Sequence, residues 1–190
     1  MSTGPARRSL LCRAAAVLRS GGVIAYPTEA VYGLGCDPLN LTAVRRLLAI
    51  KGRPMEKGLI IIAADLAQLE PFIEPPTAEI RKKLDASWPG PVTWLLPARP
   101  DTPRWLCGKH PSLAVRVTAH PLAAALCRAF GGPLVSTSAN PSGRPPARSP
   151  LQVRLRCPAV DLVVHGATGD LGSPTPILDA RSGKTLRAGR

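Results

Sequence analysis

The residues of this 190-residue chain that could do chemistry gather in two short arrays. Ser136-Thr137-Ser138-Ala139-Asn140-Pro141-Ser142-Gly143 puts four hydroxyls and one side-chain amide within seven residues. Short hydroxyl side chains and backbone N–H groups can together wrap a phosphate or a carboxylate without adding charge of their own. The second array, from Tyr26 to Gly35, carries Thr28 and Glu29 ahead of Gly33 and Gly35, whose missing side chains let a ligand approach the backbone. Thr28 can orient a small polar ligand; Glu29 can bind a cation or close a turn. A solvated Ser-rich turn and a turn with a satisfied carboxylate are the plainer accounts of the same residues. Neither array has the spacing of a dinucleotide fingerprint, and nothing matches a Walker A loop, so an ordinary P-loop NTPase is excluded.

Cations complete the picture of an anion site. Lys51-Gly52-Arg53 follows a helical stretch, where a cation gains from the helix dipole and where a triphosphate would also need such a pair. Arg116 lies on the opposite strand face from Leu113, Val115 and Val117, which makes it either an edge-facing solvated residue or a ligand clamp. Arg187 poses the same choice in a C-terminal hairpin. The three histidines, His110, His120 and His165, share no metal spacing and are assigned no chemistry. The five cysteines are widely and irregularly spaced with no C-x-x-C, which indicates neither a disulfide framework nor zinc; they read as reduced, mostly buried residues of a cytoplasmic protein.

These residues need elements to hold them. Apolar periodicity predicts helices over 10–18, 43–50, 65–72, 77–87, 121–130 and 150–156, with Asn40 or Thr42 capping the second. Strands are predicted over 23–26, 59–63, 92–96, 113–117, 134–136 and 162–164, a long polar loop follows the first strand, and a hairpin closes the chain at 177–187. The alternation points to one α/β domain over residues 1–190, with a mixed, twisted, open sheet flanked by helices and a basic concave cleft. Both arrays then sit at strand ends, where such sheets place ligand crevices. The Arg-rich start of the chain, which lacks acids, reads as part of the first helix, since its apolar pattern runs into Gly21-Gly22 and a strand.

Composition narrows the class. With 45% hydrophobic and 19% charged residues the chain can bury a core, and no apolar run approaches the roughly 20 residues that span a bilayer. A net charge of +13 seeks polyanions, although an Arg-biased genome gives the same excess. Only two Tyr, two Phe and three Trp are available to stack bases, so any RNA contact is expected with backbone and shape.

At these same positions the chain resembles the YrdC/TsaC family of threonylcarbamoyl-AMP synthases, in its short bacterial branch. The resemblance rests on Gly22-Val23-Ile24-Ala25-Tyr26-Pro27-Thr28-Glu29, Lys51-Gly52-Arg53-Pro54 leading into Lys57-Gly58-Leu59-Ile60, Trp88-Pro89-Gly90-Pro91-Val92-Thr93, Leu113-Ala114-Val115-Arg116-Val117 and Ser136-Thr137-Ser138-Ala139-Asn140. Gly58 and Thr118 stand where the wider family often has Pro, and Ser173-Pro174-Thr175-Pro176 is a looser match to its late Ser/Thr motif. The resemblance implies that L-threonine, bicarbonate or carbon dioxide and ATP are joined into threonylcarbamoyl-AMP with release of pyrophosphate. TsaB, TsaD and TsaE would then carry the group to tRNA beside the anticodon. It further implies Lys51, Arg53 and Arg187 on the phosphates with Mg²⁺, Arg116 on the threonine carboxylate or the carbamate, and Thr28 and Thr137 on threonine. Ser136, Ser138 and Asn140 would hold nucleotide or phosphate, with Thr175 a further candidate. Two other readings compete: a double-stranded RNA or ribosomal RNA binding module acting in ribosome maturation, drawn from the charge, and an enzyme of this fold that activates another carbamoyl group. Weak binding of tRNA or double-stranded RNA is compatible with the synthase as well.

Overall fold

The computed structural model describes residues 4–172 and 175–189; Ser173 and Pro174 of the late motif lie outside them. The first helix, α1 (Pro5–Arg19), opens on proline, whose fixed φ suits a first helical turn, and turns at Gly21 into strand β1 (Ile24–Pro27). A hairpin then replaces the polar loop read from the sequence. Strand β2 (Tyr32–Gly35) runs antiparallel to β1, pairing Tyr26 with Gly33 and Ile24 with Gly35. Gly33 and Gly35 mimic a loop in the sequence, but in the fold Gly35 makes room for a neighbour: a Cβ there would sit 2.6 Å from Tyr26 Cε1 and 2.7 Å from the Val135 carbonyl.

Helix α2 (Leu41–Lys51) is capped by Asn40, whose side chain accepts from the Ala43 N–H, and ends on Gly52 in the left-handed region at φ 57°. Strand β3 (Ile60–Ala63) follows a single 3-10 turn at Met55–Lys57. The helix expected over 65–72 is instead a run of turns. Asp65 accepts from the Gln68 N–H, the Gln68 side chain accepts from the Ala64 N–H, and Pro71 has no N–H with which to continue a helix. Helix α3 (Ala78–Asp85), strand β4 (Thr93–Pro97), a four-residue helix α4 (Arg104–Cys107) absent from the sequence reading, and strand β5 (Ser112–Val117) come next. The chain continues with α5 (Pro121–Phe130), β6 (Leu134–Ser138), α6 (Pro150–Arg156), β7 (Leu162–Val163), β8 (Ile177–Asp179) and β9 (Thr185–Arg187).

The strands form one mixed, nine-stranded sheet in the order β7-β1-β2-β6-β3-β5-β4-β8-β9. Side-chain alternation gives it two unequal faces. Val23, Ala25, Leu34, Ile61, Val115 and Val135 pack with α2 on one side. On the other, α1 and α5 cover Ile24, Tyr26, Ile62 and Leu134. The register puts Ile60, Ala114 and Ser136 on this second face, one pleat beyond Ile62, Arg116 and Leu134. Ala114 and Ser136 stay out of the core cluster of α1 and α5, Ile60 only packs against it, and all three line a cavity. Strand β3 begins at Ile60 opposite Ser136, so Thr137 and Ser138 run past its end and pair only with β2. The site is thus the uncovered part of a half-covered sheet.

The two hairpin glycines should behave differently. Gly35→Ala forces a Cβ against a buried ring and a carbonyl, an overpacking of about 1–3 kcal/mol. Thermal unfolding should show a Tm lower by roughly 2–12 °C for a chain of this size. Gly33→Ala meets the Thr28 methyl at 3.2 Å, the Ser136 hydroxyl at 3.4 Å and the Thr137 carbonyl at 3.6 Å, and should change Tm much less.

Candidate functional site

The cavity on the open sheet face has a volume of about 690 Å³. Five cations line it, Lys51, Arg53, Lys57, Arg116 and Arg187, and among the described residues no Asp or Glu does. The sequence expectation of a basic concave cleft therefore takes the form of a wall with no internal counter-charge. Thr28, Ser136, Thr137, Ser138, Asn140 and Thr175 line it as well, so every residue that the resemblance assigns to substrates reaches one cavity, whereas Glu29 does not.

Arg116 is neither solvated nor at an edge. It sits on β5, a central strand, and is 5% exposed. Its Nη1 donates to Thr175 Oγ1 at 2.7 Å and to Thr93 Oγ1 at 3.3 Å, and its Nη2 lies 3.4 Å from Glu29 Oε2. Glu29, read from the sequence as a cation ligand or a turn cap, is the ion-pair partner of a protein cation. Burial opposes its ionisation, but Arg116, the Thr118 hydroxyl and a backbone N–H together hold its carboxyl below the usual range. Arg187 reaches in from β9 and donates through Nε and Nη2 to the Thr175 carbonyl at 3.2 and 2.7 Å. Thr175 therefore joins both arginines, one through its hydroxyl and one through its backbone. Burial, and then the guanidiniums of Arg116 and Arg53, pull the Arg187 guanidinium below its ordinary value. Three mutually repelling cations face one space.

Lys51 and Arg53 look like twins in the sequence and are not. Lys51 is 3% exposed, and its ammonium donates to the carbonyls of Ser138 at 2.5 Å and Asn140 at 2.9 Å. The Lys51 carbonyl accepts from the Ser142 N–H at 2.7 Å, so residue 51 ties down the hydroxyl array from both ends of itself. Arg53 lies beyond the left-handed Gly52; it bonds only the Gly58 carbonyl at 3.0 Å and the Lys57 carbonyl at 3.4 Å, and its Nε has no partner. Its guanidinium is free to meet a ligand, whereas the Lys51 donors are committed to the loop.

The rest of the array is positioned by backbone. Thr28 closes its turn through Oγ1 to the Val31 carbonyl at 2.8 Å, and Asn140 donates to the carbonyls of Pro141 and Arg144. Four polar or charged lining residues, Lys57, His110, Ser112 and Ser142, were given no role by the sequence reading. His110 and Ser112 flank the start of β5 and have no pattern signal, because α4 and the loop after it bring them in. Lys57 and Ser142 lay inside segments that had been quoted, without being assigned a role. His120 is an N-cap acceptor for Ala123, away from the cavity. Cys107 lines the cavity, but burial raises its thiol, so it forms a neutral wall. The five cysteines are free; Cys12 is exposed and the other four are buried.

Residues 16–189 match the model of the Sua5/YciO/YrdC family, whose description reads "Telomere recombination". The chain belongs to this family. Two family relatives named threonylcarbamoyl-AMP synthase come from Halorhodospira halophila and Nitrosococcus oceani. They are 61% and 57% identical, over 92% of this chain and 92% and 95% of theirs. The solved structure of P. abyssi Sua5 complexed with L-threonine superposes with a TM-score of 0.88 at 34% identity; it shares 94% of this chain, which spans 54% of that one. No helix among the described residues is long and apolar enough to cross a membrane.

Lys51 gives this site a pH signature. Desolvation, with a lesser push from Arg53, brings its ammonium from 10.5 down to about 8. The charged form, which holds the loop and attracts anions, therefore dominates below that pH and is lost above it. Calorimetric binding of inorganic tripolyphosphate should weaken as pH rises through about 8, and Lys51→Ala should remove that step.

Proposed function

We propose that this chain is a threonylcarbamoyl-AMP synthase, joining L-threonine, bicarbonate or carbon dioxide, and ATP. The observation that carries the reading is the cavity wall: five cations and, among the described residues, no carboxylate, beside a hydroxyl array, in a chain 61% identical to a relative of that name. The threonine amine forms an N–C bond to the carbon of carbon dioxide and releases a proton. A carbamate oxygen then attacks the α-phosphorus of ATP; that O–P bond forms while the bond from the α-phosphorus to the bridging oxygen breaks and pyrophosphate leaves. Nucleophile and electrophile are both anionic, so the protein's task is to hold them together and cancel their repulsion.

Each residue has a part in that task. Arg116 grips the threonine carboxylate, with Thr28 and Thr137 orienting the rest of the amino acid. Arg53 and Arg187 meet the phosphates, and Ser136, Ser138 and Asn140 hold nucleotide or phosphate. Lys51 acts by fixing Ser138 and Asn140 and by adding positive potential. With no activated nucleophile in the wall, catalysis rests on positioning and electrostatics, without a covalent enzyme intermediate. Among the described residues no cluster of three His, Cys, Asp or Glu could form a metal cage. Mg²⁺ fits only as an ion carried by ATP, with the Ser and Thr hydroxyls as its protein-side oxygens, where it would neutralise phosphate charge. The product is a reactive mixed anhydride that TsaB, TsaD and TsaE consume in the cytoplasm to modify tRNA.

Pyrophosphate release from ATP that requires threonine and bicarbonate, with threonylcarbamoyl-AMP identified by mass spectrometry, tests the reading. Release without threonine, or with carbamoyl phosphate in its place, overturns it in favour of another carbamoyl activation. Arg53→Ala should weaken ATP saturation by about tenfold or more while leaving Tm near wild type, because its guanidinium bonds only two carbonyls. Arg116→Lys should raise the KM for threonine by a similar factor, since an ammonium cannot reproduce a planar two-point grip.

The charge supports a second, weaker contact. A net charge of +13 exceeds what five cavity cations account for, and exposed arginines such as Arg7, Arg8, Arg13, Arg45 and Arg154 lie outside the wall. We infer that they give weak, sequence-independent binding of tRNA or double-stranded RNA. Such binding should fall roughly tenfold or more between low and physiological salt, while threonine-dependent turnover changes far less. Salt-resistant, sequence-selective binding would instead favour an RNA module.

A further inference from the structure

Arg116 and its hydroxyl partner Thr175 line the cavity, but the other groups that brace the guanidinium do not. Glu29, Thr93 and Thr118 are absent from the wall and lie behind it, 7%, 0% and 2% exposed. A guanidinium has five N–H donors, and here the two on Nη1 are directed at the hydroxyls of Thr175 and Thr93. One on Nη2 faces Glu29, and Nε has no partner. The edge left for an incoming carboxylate is therefore fixed by where Glu29 stands. Glu29 is in turn held by Thr118, whose hydroxyl donates to Glu29 Oε1 at 2.5 Å. Thr118 is pinned to the sheet through its N–H to the Ala63 carbonyl at 3.0 Å, and its oxygen accepts from the His120 N–H at 3.2 Å. The backbone of Glu29 is anchored separately, by Leu171 N–H to its carbonyl at 3.2 Å and by Gly169 N–H to the Thr28 carbonyl at 2.9 Å.

The result is a relay from β3 through Thr118 and Glu29 to the guanidinium. Its contact with Arg116 is incomplete: Glu29 Oε2 and Arg116 Nε both lack a hydrogen-bond partner although the two side chains lie at ion-pair distance. A carboxylate serving only stability would be expected to close that fork with two parallel bonds. Left as it is, Glu29 restrains the guanidinium through Nη2 alone and leaves its Nε unpaired.

We propose that Glu29 and Thr118 are positioning residues that set the orientation of Arg116 and thereby the affinity for the amino-acid substrate. The inference rests on the reading of Arg116 as the clamp of the threonine carboxylate. It makes a prediction opposite in sign to charge counting. Removing the carboxylate that faces Arg116 raises the positive potential, so electrostatics alone would make Glu29→Gln bind anions more tightly. Positioning requires the reverse for threonine.

The test measures KM for threonine, KM for ATP, kcat and Tm in wild type, Arg116→Lys, Glu29→Gln, Thr118→Val and Thr118→Ser. We expect the KM for threonine to rise about tenfold in Glu29→Gln and about fivefold in Thr118→Val, with the KM for ATP within about twofold of wild type. Thr118→Ser, which keeps the hydroxyl, should restore near-normal threonine saturation. Unchanged or tighter threonine saturation in Glu29→Gln overturns the proposal, as does Thr118→Val raising both KM values in parallel with a fall in Tm, or behaving like Thr118→Ser. Should Glu29→Gln fail to fold, the Thr118 pair decides alone, because neither change leaves a buried charge without its partner. If Arg116→Lys itself leaves threonine saturation unchanged, the clamp reading fails and the relay with it. If Arg116→Lys impairs it and the other variants do not, only the relay fails.

Discussion

A guanidinium buried in the middle of a sheet is the constraint from which this site follows. Taking a charge out of water costs several kcal/mol unless partners replace the lost solvation. Arg116 receives two threonine hydroxyls and one carboxylate from three different parts of the chain: Thr93 on β4, Thr175 ahead of β8, and Glu29 in the β1–β2 turn. Those contacts gather segments far apart in sequence around one atom group. The residue they hold also lines the cavity.

The opening exists because helices cover the sheet unevenly. One face carries a continuous apolar layer under α2, whereas α1 and α5 cover only part of the other. On the bare part, Gly33 and Ala114 keep the floor low, while Ser136 and Arg116 project from it. Strand β6 supplies the array because it outruns β3: the residues that gain an open side there are Thr137 and Ser138. A polar run at the end of a buried strand is therefore a geometric requirement of the site as well as a compositional feature.

Much of this is legible in the sequence. Alternation around Leu113, Val115 and Val117 placed Arg116 on the face opposite the main core, and Asn40 signalled the start of α2. The β2 strand was hidden because Gly33 and Gly35 mark loops in most sequences, and only the ring of Tyr26 packed over Gly35 shows why a strand needs glycine there. The false helix over 65–72 came from apolar spacing that Asp65, Gln68 and Pro71 override with local hydrogen bonds. Lys51 and Arg53 could not be told apart by spacing. Lys51 still belongs to the buried face of α2 with Leu47 and Leu48, and the left-handed Gly52 then turns the chain so that Arg53 leaves it. The ion pair of Glu29 with Arg116 spans 87 positions of sequence, and no local pattern encodes such a partner.

Thr175 shows how the charges and the architecture are coupled. Its hydroxyl accepts from Arg116 on β5 and its carbonyl from Arg187 on β9, so one residue spaces two cations that repel each other. Burial, and then Arg116 and Arg53, lower the Arg187 guanidinium, so neighbouring cations of the wall oppose its charge. Glu29 relieves only one member of the set, from behind. An anion with several charges would satisfy the others together, and in doing so would link β5, the residues after α2 and the terminal hairpin through a single ligand. The binding energy of such a ligand would partly be the release of repulsion among these cations, which a neutral molecule of the same shape could not recover.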